Sequence, residues 1–211
     1  MSRAPALYLI TDRTLSDGPL AERVAAALSR VDPRRVVVQL REKDLPARAL
    51  FELGRAVLAE CRRRGARLLV NDRADVALAL GADGVHLGAG SLPALEARRL
   101  LGPEALVGVS CHSAAEVRAR VEGADFATWG PVFATASKAR YGPPVGLGGL
   151  DAALALGAPL VGLGGIRAGN AGGLRARGLV GAACIGAVFS AQDPGAAALE
   201  LLQAFEGAPH R

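Results

Sequence analysis

A chain of 211 residues, 51% of them hydrophobic, is long enough for one α/β domain with a large apolar core. Aromatic residues are only 4% of the sequence, and the net charge of +5 comes from scattered basic residues. This composition argues against a nucleic-acid-binding protein that stacks bases on aromatic rings, and it favours small anionic substrates as partners.

The three cysteines Cys61, Cys111 and Cys184 lie far apart and form no metal-binding or redox pattern. This usage indicates a reducing, cytoplasmic setting. The longest apolar stretch, residues 179–189, is too short to cross a membrane, and the N-terminal apolar run is too short for a signal peptide. We therefore expect a cytoplasmic protein with no membrane partner.

Short apolar runs alternate with helical segments along the whole chain. The predicted strands are 6–10, 35–40, 68–70, 85–87, 106–110, 126–129, 160–163 and 182–187. The predicted helices are 20–28, 46–64, 74–80, 93–101, 114–121, 151–156, 170–177 and 194 to about 205. This alternation predicts the α/β class and a single (β/α)8 TIM barrel over residues 1–211. A doubly wound sheet is the alternative, disfavoured because no G-x-G-x-x-G follows the first strand.

Local patterns mark helix starts and a weak repeat. Ser91 is a candidate N-cap of the fourth helix, and Ser113 with Glu116 forms a capping-box pattern before the fifth. The tripeptide Gly-Ala-Asp precedes both strand four and strand six, and Gly181 stands in a related place before strand eight. The repeat supports a barrel of similar units.

Polar residues that follow parallel strands meet at one rim of a barrel, where such folds keep their chemistry. The residues in such positions are cations, amides, hydroxyls and glycines with one clear exposed carboxylate, a set that suits phosphate esters and a hard cation such as Mg²⁺ on Asp72. They are Gln39, Arg41, Lys43, Asn71, Asp72, Ser91, Ser110, His112, Thr135, Ser137, Lys138, Gly164, Gly165 and Gly186.

Each of these assignments has a plainer alternative. The glycines after strands seven and eight either bind a phosphate through backbone N–H groups or only allow tight turns. Residues 131–148 form a long loop that we interpret as a lid, in which Lys138 either grips an anion or is a solvated lysine. Asp72 could instead pair with Arg73 or Lys43 at the surface. A lone histidine such as His112 is more often structural, and we favour that role for His86 within strand four.

Six motifs occur in one order over nearly the whole chain. They are LYLITDR, VVVQLREKD, LLVNDRADVALALGADGVHLG, VGVSCHS, GPVFATASK and VGLGGI. Together they resemble the thiamine phosphate synthase family and its close relative, the thiazole tautomerases. The family fold is a (β/α)8 barrel. The synthase joins hydroxymethylpyrimidine pyrophosphate to a thiazole phosphate and releases pyrophosphate, through a dissociative mechanism.

The resemblance implies a role for each matching residue. Gln39 would hold the pyrimidine with Ser110 nearby, and Arg41, Lys43 and Asn71 would grip its pyrophosphate. Asp72 would bind Mg²⁺. Thr135, Ser137 and Lys138 match the family's lid pattern, which reaches both anionic ends of the site, and Lys138, Ser110 and His112 are the catalytic candidates. The thiazole phosphate would lie on Gly165, Ile185 and Gly186. Family members are commonly dimeric, so a homodimer is possible.

One position departs from the synthase pattern. Synthases usually read His-(Leu/Ile)-Gly-Gln-x-Asp after strand four, and that Asp is a second Mg²⁺ ligand. Here Ala89 replaces the Gln and Ser91 replaces the Asp, so Mg²⁺ binding is expected to be weaker. The Gly-Ser pair resembles the tautomerases, whereas Lys43, Asp72 and Lys138 fit the synthases. A synthase is the first hypothesis, a tautomerase the second, and a non-catalytic phosphate-ligand sensor on the same barrel the third.

Overall fold

The computed structural model describes residues 3–15, 17–134 and 144–207, and its strands close into a parallel barrel. The strands are β1 (Leu7–Ile10), β2 (Val36–Leu40), β3 (Arg67–Asn71), β4 (Gly84–Leu87), β5 (Leu106–Cys111), β6 (Phe126–Trp129), β7 (Leu160–Leu163) and β8 (Gly181–Cys184). Each strand pairs with the next one in the sequence, and β8 pairs with β1. The predicted (β/α)8 barrel is confirmed, and the doubly wound alternative is wrong.

Helices surround the barrel and follow the strands in the chain. They are α1 (Leu20–Ala27), α2 (Ala47–Arg64), α3 (Ala74–Leu80), α4 (Ala94–Leu101), α5 (Ala114–Arg120), α6 (Leu150–Leu154), α7 (Ala168–Ala171), α8 (Gly186–Phe189) and α9 (Pro194–Glu206). Asp193 caps α9 by accepting the Ala196 N–H at 2.9 Å, with Pro194 in the first turn. Within the described ranges, no helix is long and apolar enough to span a bilayer.

Buried side chains form two layers, one on each face of the sheet. The outer layer packs the strands against the helices and is the main hydrophobic core. The inner layer fills the barrel with apolar residues, and it consists of Tyr8, Ile10, Val37, Leu69, Leu106, Phe126, Val161 and Ala183. The barrel interior is therefore a packed floor beneath the rim and not a channel.

Two strands begin where neighbouring backbones come very close. A Cβ on Gly84 would lie 1.9 Å from the Leu106 carbonyl oxygen, and one on Gly181 would lie 2.0 Å from that of Pro5. Only glycine leaves room for these approaches at the first residue of β4 and of β8. The pairing of β8 with β1, which closes the barrel, takes place directly beside Gly181.

Several local predictions are wrong. β8 ends at Cys184, and the apolar run continues as the short helix α8, because hydrophobic periodicity does not separate a short strand from a short helix. α7 ends at Ala171, since Gly172 and Gly173 follow and Gly173 has a φ of 86°.

The N-terminal caps of α4 and α5 also differ from those that the sequence predicted. The N-cap of α4 is Pro93 and not Ser91, whose hydroxyl is used elsewhere. Ser113 does accept the Glu116 N–H at 3.2 Å, but the Glu116 carboxylate accepts the N–H of His112. The capping box is therefore only half formed, and Glu116 instead holds the backbone at the end of β5.

The Gly-Ala-Asp repeat has a structural purpose at the amino-terminal end of the barrel. Asp83 accepts the backbone N–H of Leu68 at 2.7 Å, and Asp125 accepts that of Val107 at 2.8 Å. Each carboxylate thus satisfies an N–H near the start of the preceding strand. Asp125 is also paired with Arg3 at 3.1 Å and with Arg98 at 2.8 Å.

We expect loss of Asp125 to cost more stability than loss of Asp83. Asp83→Ala removes one charge-assisted hydrogen bond, worth about 1.5–3 kcal/mol. Asp125→Ala removes the equivalent bond and also leaves the guanidinium of Arg98, which is largely buried, without its carboxylate. Urea unfolding of both variants measures the difference, and Glu122→Ala, an exposed carboxylate, is the control with a change within about 0.5 kcal/mol. Equal losses for the two variants would contradict this account.

Candidate active site

A cleft of about 500 Å³ opens at the carboxyl ends of the strands. The ends of β2, β3, β4 and β5 and the residue after β8 contribute to its lining. The predicted site residues that the structure brings together here are Gln39, Arg41, Lys43, Asn71, Asp72, Ser91, Ser110, His112 and Ile185. Thr135, Ser137 and Lys138 lie outside the described residues, as do all of residues 135–143 in the lid loop predicted at 131–148.

A buried carboxylate fixes the backbone after β2. Glu42 is only 5% exposed and accepts the Thr11 hydroxyl at 2.6 Å and the backbone and side-chain N–H groups of Arg13 at 3.1 Å. The Thr11 hydroxyl in turn accepts the Arg41 N–H at 3.0 Å. Arg13 also binds Asp44, whose pKa it lowers to about 2 through this hydrogen bond. The loops after β1 and β2 are therefore locked together.

This arrangement leaves two cations in the cleft without a carboxylate partner among the residues that the structure describes. Arg41 and Lys43 flank Glu42 and line the cleft, yet neither forms an ion pair with any described residue. Unpaired cations at the mouth of a cleft attract anionic ligands. Two positive side chains at positions i and i+2 of a fixed backbone suit a ligand with more than one phosphoryl group.

Asp72 stands in a backbone conformation that is unusual for a residue with a side chain. Its φ is 65°, the only positive value at a non-glycine residue among the described ranges. The Asp72 N–H donates to the His86 carbonyl at 2.8 Å, and the Arg73 N–H donates back to Asn71 at 2.7 Å, which closes a tight turn. Such strain is concentrated at functional sites. Arg73 pairs with Asp75 at 2.5 Å, so the predicted alternative of an Asp72–Arg73 ion pair is wrong.

Ser91 lies directly beside Asp72. Its hydroxyl accepts the Gly88 N–H at 2.7 Å and donates to Asp72 Oδ1. Residue 91 therefore faces the carboxylate that the sequence assigns to Mg²⁺. Among residues 3–15, 17–134 and 144–207, no group of three His, Cys, Asp or Glu side chains could hold a metal by itself. One carboxylate with one hydroxyl fits an Mg²⁺ ion that takes its other ligands from water and a pyrophosphate.

The floor of the cleft is polar and buried. Gln39 Nε2 donates to the Tyr8 hydroxyl at 2.8 Å, and His86 Nε2 lies 3.0 Å from Ser110 Oγ. Burial lowers the pKa of His86 to about 3, with smaller contributions from the positive charges of Arg120 and Arg41. Burial also raises the pKa of Tyr8 well above its usual value. Both rings are therefore uncharged at neutral pH.

Arg120 of α5 ties two strand ends together beneath the cleft. Its guanidinium donates to the Ser110 carbonyl at 3.1 Å, to the Leu87 carbonyl at 3.4 Å and to the carbonyl of Gly88. It thereby supports both the backbone that carries Ser110 and the turn that leads to Ser91. The sequence did not indicate this role of Arg120. The residue pattern of a helix does not show which neighbouring strands its long side chains contact. Thr11 and Glu42 were also missed, although they stand one residue after β1 and two residues after β2.

His112 is exposed at the edge of the cleft and has a defined tautomer. Its Nδ1 lies within hydrogen-bond distance of the Gly130 carbonyl oxygen. Because a carbonyl oxygen only accepts, Nδ1 carries the hydrogen, and the lone pair of Nε2 is available in the neutral ring. In this tautomer the Nε2 lone pair of His112 can accept a proton from a ligand.

The predicted phosphate-binding glycines lie at the ends of β7 and β8. Gly165 has a φ of 64°, and a Cβ there would lie 2.6 Å from the Ala134 carbonyl oxygen, so glycine is required by the turn. Asn170 Nδ2 fixes this turn by donating to the Gly165 carbonyl at 2.9 Å. Gly186 is the first residue of α8 and not, as predicted, a late residue of β8. Neither glycine is in the cleft lining formed by the described residues.

Comparison with known proteins identifies the family to which this chain belongs. Residues 7–188 match the family model described as thiamine monophosphate synthase. The chain belongs to the thiamine monophosphate synthase family. Over 198 residues it is 49% identical to a putative thiamine-phosphate synthase of Geobacter sulfurreducens, covering 93% of this chain and 92% of that one. It is 48% identical to a thiamine-phosphate synthase of Moorella thermoacetica, covering 92% and 93%.

A solved structure of the same family has the same barrel. The thiamine phosphate pyrophosphorylase from Pyrococcus furiosus matches with a TM-score of 0.82 and 35% identity, covering 95% of each chain. A 3-hexulose-6-phosphate synthase matches with a TM-score of 0.67 at 21% identity, which shows a shared fold alone. The tautomerase and sensor hypotheses gain no support from the family model or these relatives.

The buried histidine predicts a pH dependence of stability. The pKa of His86 is about 3 in the folded protein and about 6.5 in the unfolded chain, so the unfolded chain binds an extra proton between these values. His86 therefore does not lower the free energy of unfolding above pH 6.5. As the pH falls from 6.5 towards 3, it lowers this free energy by up to about 1.4 kcal/mol per pH unit. His86→Gln should therefore lose less stability than wild type on acidification, as measured by urea unfolding at pH 7, 6 and 5. Parallel curves would contradict the assigned pKa.

Proposed function

We propose that this protein is a thiamine phosphate synthase, which couples hydroxymethylpyrimidine pyrophosphate to a thiazole phosphate and releases pyrophosphate. The observation that carries the proposal is a cleft with a polar floor that is lined by the strained Asp72 and by Arg41 and Lys43, two cations that form no ion pair with any described residue. A pyrophosphate ester of a heteroaromatic ring requires such a combination of charged rim and polar floor. Membership of the family supports the same conclusion.

The pyrimidine pyrophosphate would lie with its ring on the floor and its phosphoryl groups at the rim. Gln39 and Ser110 would contact the ring, while Arg41, Lys43 and Asn71 would bind the pyrophosphate oxygens. Glu42 and Thr11 do not need to touch the substrate, because they hold the backbone from which Arg41 and Lys43 project. Such preorganised charge stabilises a leaving group without reorganisation at the moment of reaction.

A magnesium ion would be held by Asp72 together with oxygens of the pyrophosphate. Bound there, it would supply further positive charge to the leaving group. Ser91 would act through its hydrogen bond to Asp72 Oδ1, which orients the carboxylate. With a single carboxylate from the protein, the ion would bind weakly unless pyrophosphate is present.

The thiazole phosphate would bind at the ends of β7 and β8. Backbone N–H groups of Gly165, Ile185 and Gly186 would contact its phosphate, since the first N–H groups of a helix such as α8 have no acceptor within the helix. Thr135, Ser137 and Lys138, in the lid of residues 131–148, would bind both anionic ends of the site. These roles come from the resemblance to the family.

The reaction proposed is dissociative. The C–O bond between the pyrimidine methylene carbon and pyrophosphate breaks, and the electron pair leaves on pyrophosphate. The lone pair of the thiazole nitrogen then forms the new C–N bond to the pyrimidine cation. Arg41, Lys43 and Lys138 stabilise the negative charge that develops on the leaving group, an effect of several kcal/mol in comparable sites. We further propose a cytoplasmic homodimer that needs neither nucleic acid nor membrane.

The metal proposal predicts a gain of function at residue 91. Ser91→Asp would place a second charged oxygen next to Asp72, so Mg²⁺ affinity in the presence of pyrophosphate should rise at least tenfold. Ser91→Asn, which changes the shape but adds no charge, is the matched control and should show no such gain. Calorimetric titration of Mg²⁺ into protein with pyrophosphate measures both. Equal Mg²⁺ affinity in wild type and both variants would contradict the proposal that Asp72 binds the metal.

The function itself is tested by coupling both substrates with and without Mg²⁺. Lys138→Ala should lower single-turnover coupling more than tenfold, whereas His112→Asn should stay within about tenfold of wild type, because pyrophosphate departure needs no base at that position. Arg175→Ala removes an exposed charge outside the cleft and is the control for net charge. Wild-type protein that exchanges the proton of a thiazole carboxylate phosphate but never couples would establish a tautomerase instead. Binding of thiazole phosphate with neither activity would establish a sensor.

A further inference from the structure

His86 is the most unusual buried polar group outside the assigned machinery. The residue is 3% exposed, and within the described part of the chain its Nδ1 has no hydrogen-bond partner. The sequence favoured a purely structural role for it. A packed histidine normally satisfies both ring nitrogens, so the unpartnered Nδ1 and the bonded Nε2 of His86 need a common explanation.

Nδ1 of His86 is closely packed by its neighbours. The ring lies against Tyr8 and Phe126, with centroid distances of 5.5 Å and 6.0 Å. A Cβ on Gly108 would lie 2.6 Å from Nδ1 and equally close to the Phe126 ring. Gly108 therefore provides the space that the histidine fills, and Nδ1 faces this contact directly.

These surroundings decide between the two neutral tautomers. A hydrogen on Nδ1 would be a buried N–H without an acceptor, and such orphaned donors are rarer in proteins than under-satisfied acceptors. A hydrogen on Nε2 has an acceptor at 3.0 Å, the hydroxyl oxygen of Ser110. The nitrogen that faces Gly108 then carries only a lone pair.

The tautomer of His86 determines what Ser110 can offer a ligand. A serine oxygen that accepts from Nε2 keeps its own hydrogen free. No other hydrogen bond of the Ser110 hydroxyl occurs among the described residues, and Ser110 lines the cleft. Its hydrogen is therefore available to point into the cleft as a donor.

We propose that His86 is a positioning residue whose Nε2–H tautomer makes the Ser110 hydroxyl a hydrogen-bond donor towards a ring nitrogen of the bound pyrimidine. The proposal deepens the synthase function and rests on it. His86 does not need to touch the substrate, because it acts through Ser110. Arg120 assists from the other side by fixing the Ser110 carbonyl, so the strand end that carries the hydroxyl is held at two points.

The first experiment reads the tautomer in the free protein by long-range ¹H–¹⁵N NMR. The chain has only 3 histidines, so the ring signals are readily assigned with single variants. We expect Nε2 of His86 to be protonated and Nδ1 to carry a lone pair. Ser110→Ala should shift the Nε2 resonance, whereas Cys111→Ala, next to it in β5, should not. A protonated Nδ1 would overturn the proposal.

The second experiment compares His86→Gln with His86→Asn, which place a side-chain amide at different distances from the backbone. The glutamine side chain reaches about as far as Nε2 and the asparagine side chain about as far as Nδ1. His86→Gln retains a donor for Ser110 and should keep KM for the pyrimidine pyrophosphate within twofold of wild type. His86→Asn should raise this KM threefold to tenfold, the effect of one lost hydrogen bond, and leave KM for thiazole phosphate unchanged. Equal KM values in both variants would overturn the proposal.

A double-mutant cycle separates positioning from packing. In the Ser110→Ala background, His86→Asn should no longer change KM for the pyrimidine pyrophosphate, because its effect passes through the hydroxyl. Phe126→Leu, which alters the packing around His86 without changing its hydrogen bond, should lower the unfolding temperature but move this KM less than twofold. Additive effects of His86→Asn and Ser110→Ala would contradict the proposal.

The experiments give different results if the synthase function is wrong and if only the positioning role of His86 is wrong. Wild-type protein that does not couple the substrates would refute the synthase function and, with it, the pyrimidine as the ligand of Ser110. Coupling by wild type with a protonated Nδ1, or with no KM effect of His86→Asn, would refute only the role of His86. Should His86→Asn fail to fold, Ser110→Ala and the tautomer spectrum decide the matter.

Discussion

The pairing of β8 with β1 is the constraint on which the catalytic end of the molecule depends. All eight strands are parallel, so closing the ladder brings their carboxyl ends into one ring. Residues that are far apart in the chain, such as Gln39 and Ile185, then line the same cleft. Closure requires the backbones beside Gly84 and Gly181 to approach closely, and a side chain at either place would force the strands apart.

Charge pairing elsewhere gives the cleft its positive character. Arg13, Arg73 and Arg98 are each bound to a carboxylate of the protein. Arg41 and Lys43 have no such partner among the described residues, and both line the cleft. Both are therefore available to an anionic ligand, and their attraction to it strengthens when the ligand excludes water. The overall charge of +5 is therefore less informative than the position of these two side chains.

Groups behind the cleft hold the residues that face it. Glu42 and Thr11 fix the backbone of Arg41, Ser91 holds Asp72, and Arg120 and His86 hold Ser110. Most of these supporting contacts cross between neighbouring strand ends, and Arg120 reaches two strand ends from α5. Small displacements of a binding group are costly in catalysis, so a site built from strand ends and braced from behind is well suited to a reaction that depends on positioning.

The sequence by itself determined the (β/α)8 barrel, because alternating buried strands and helices without a Gly-rich nucleotide loop admit few other arrangements. It also placed Gln39, Arg41, Asp72 and Ser110 at one rim, since each stands at or just after the end of a parallel strand. Local pattern did not separate the end of β8 from α8, as both are short apolar runs. Only the tertiary structure decided the left-handed turn at Asp72, the burial of Glu42 and the one-sided hydrogen bonding of His86. These depend on contacts between strands that are neighbours in space, which no local pattern in the sequence encodes.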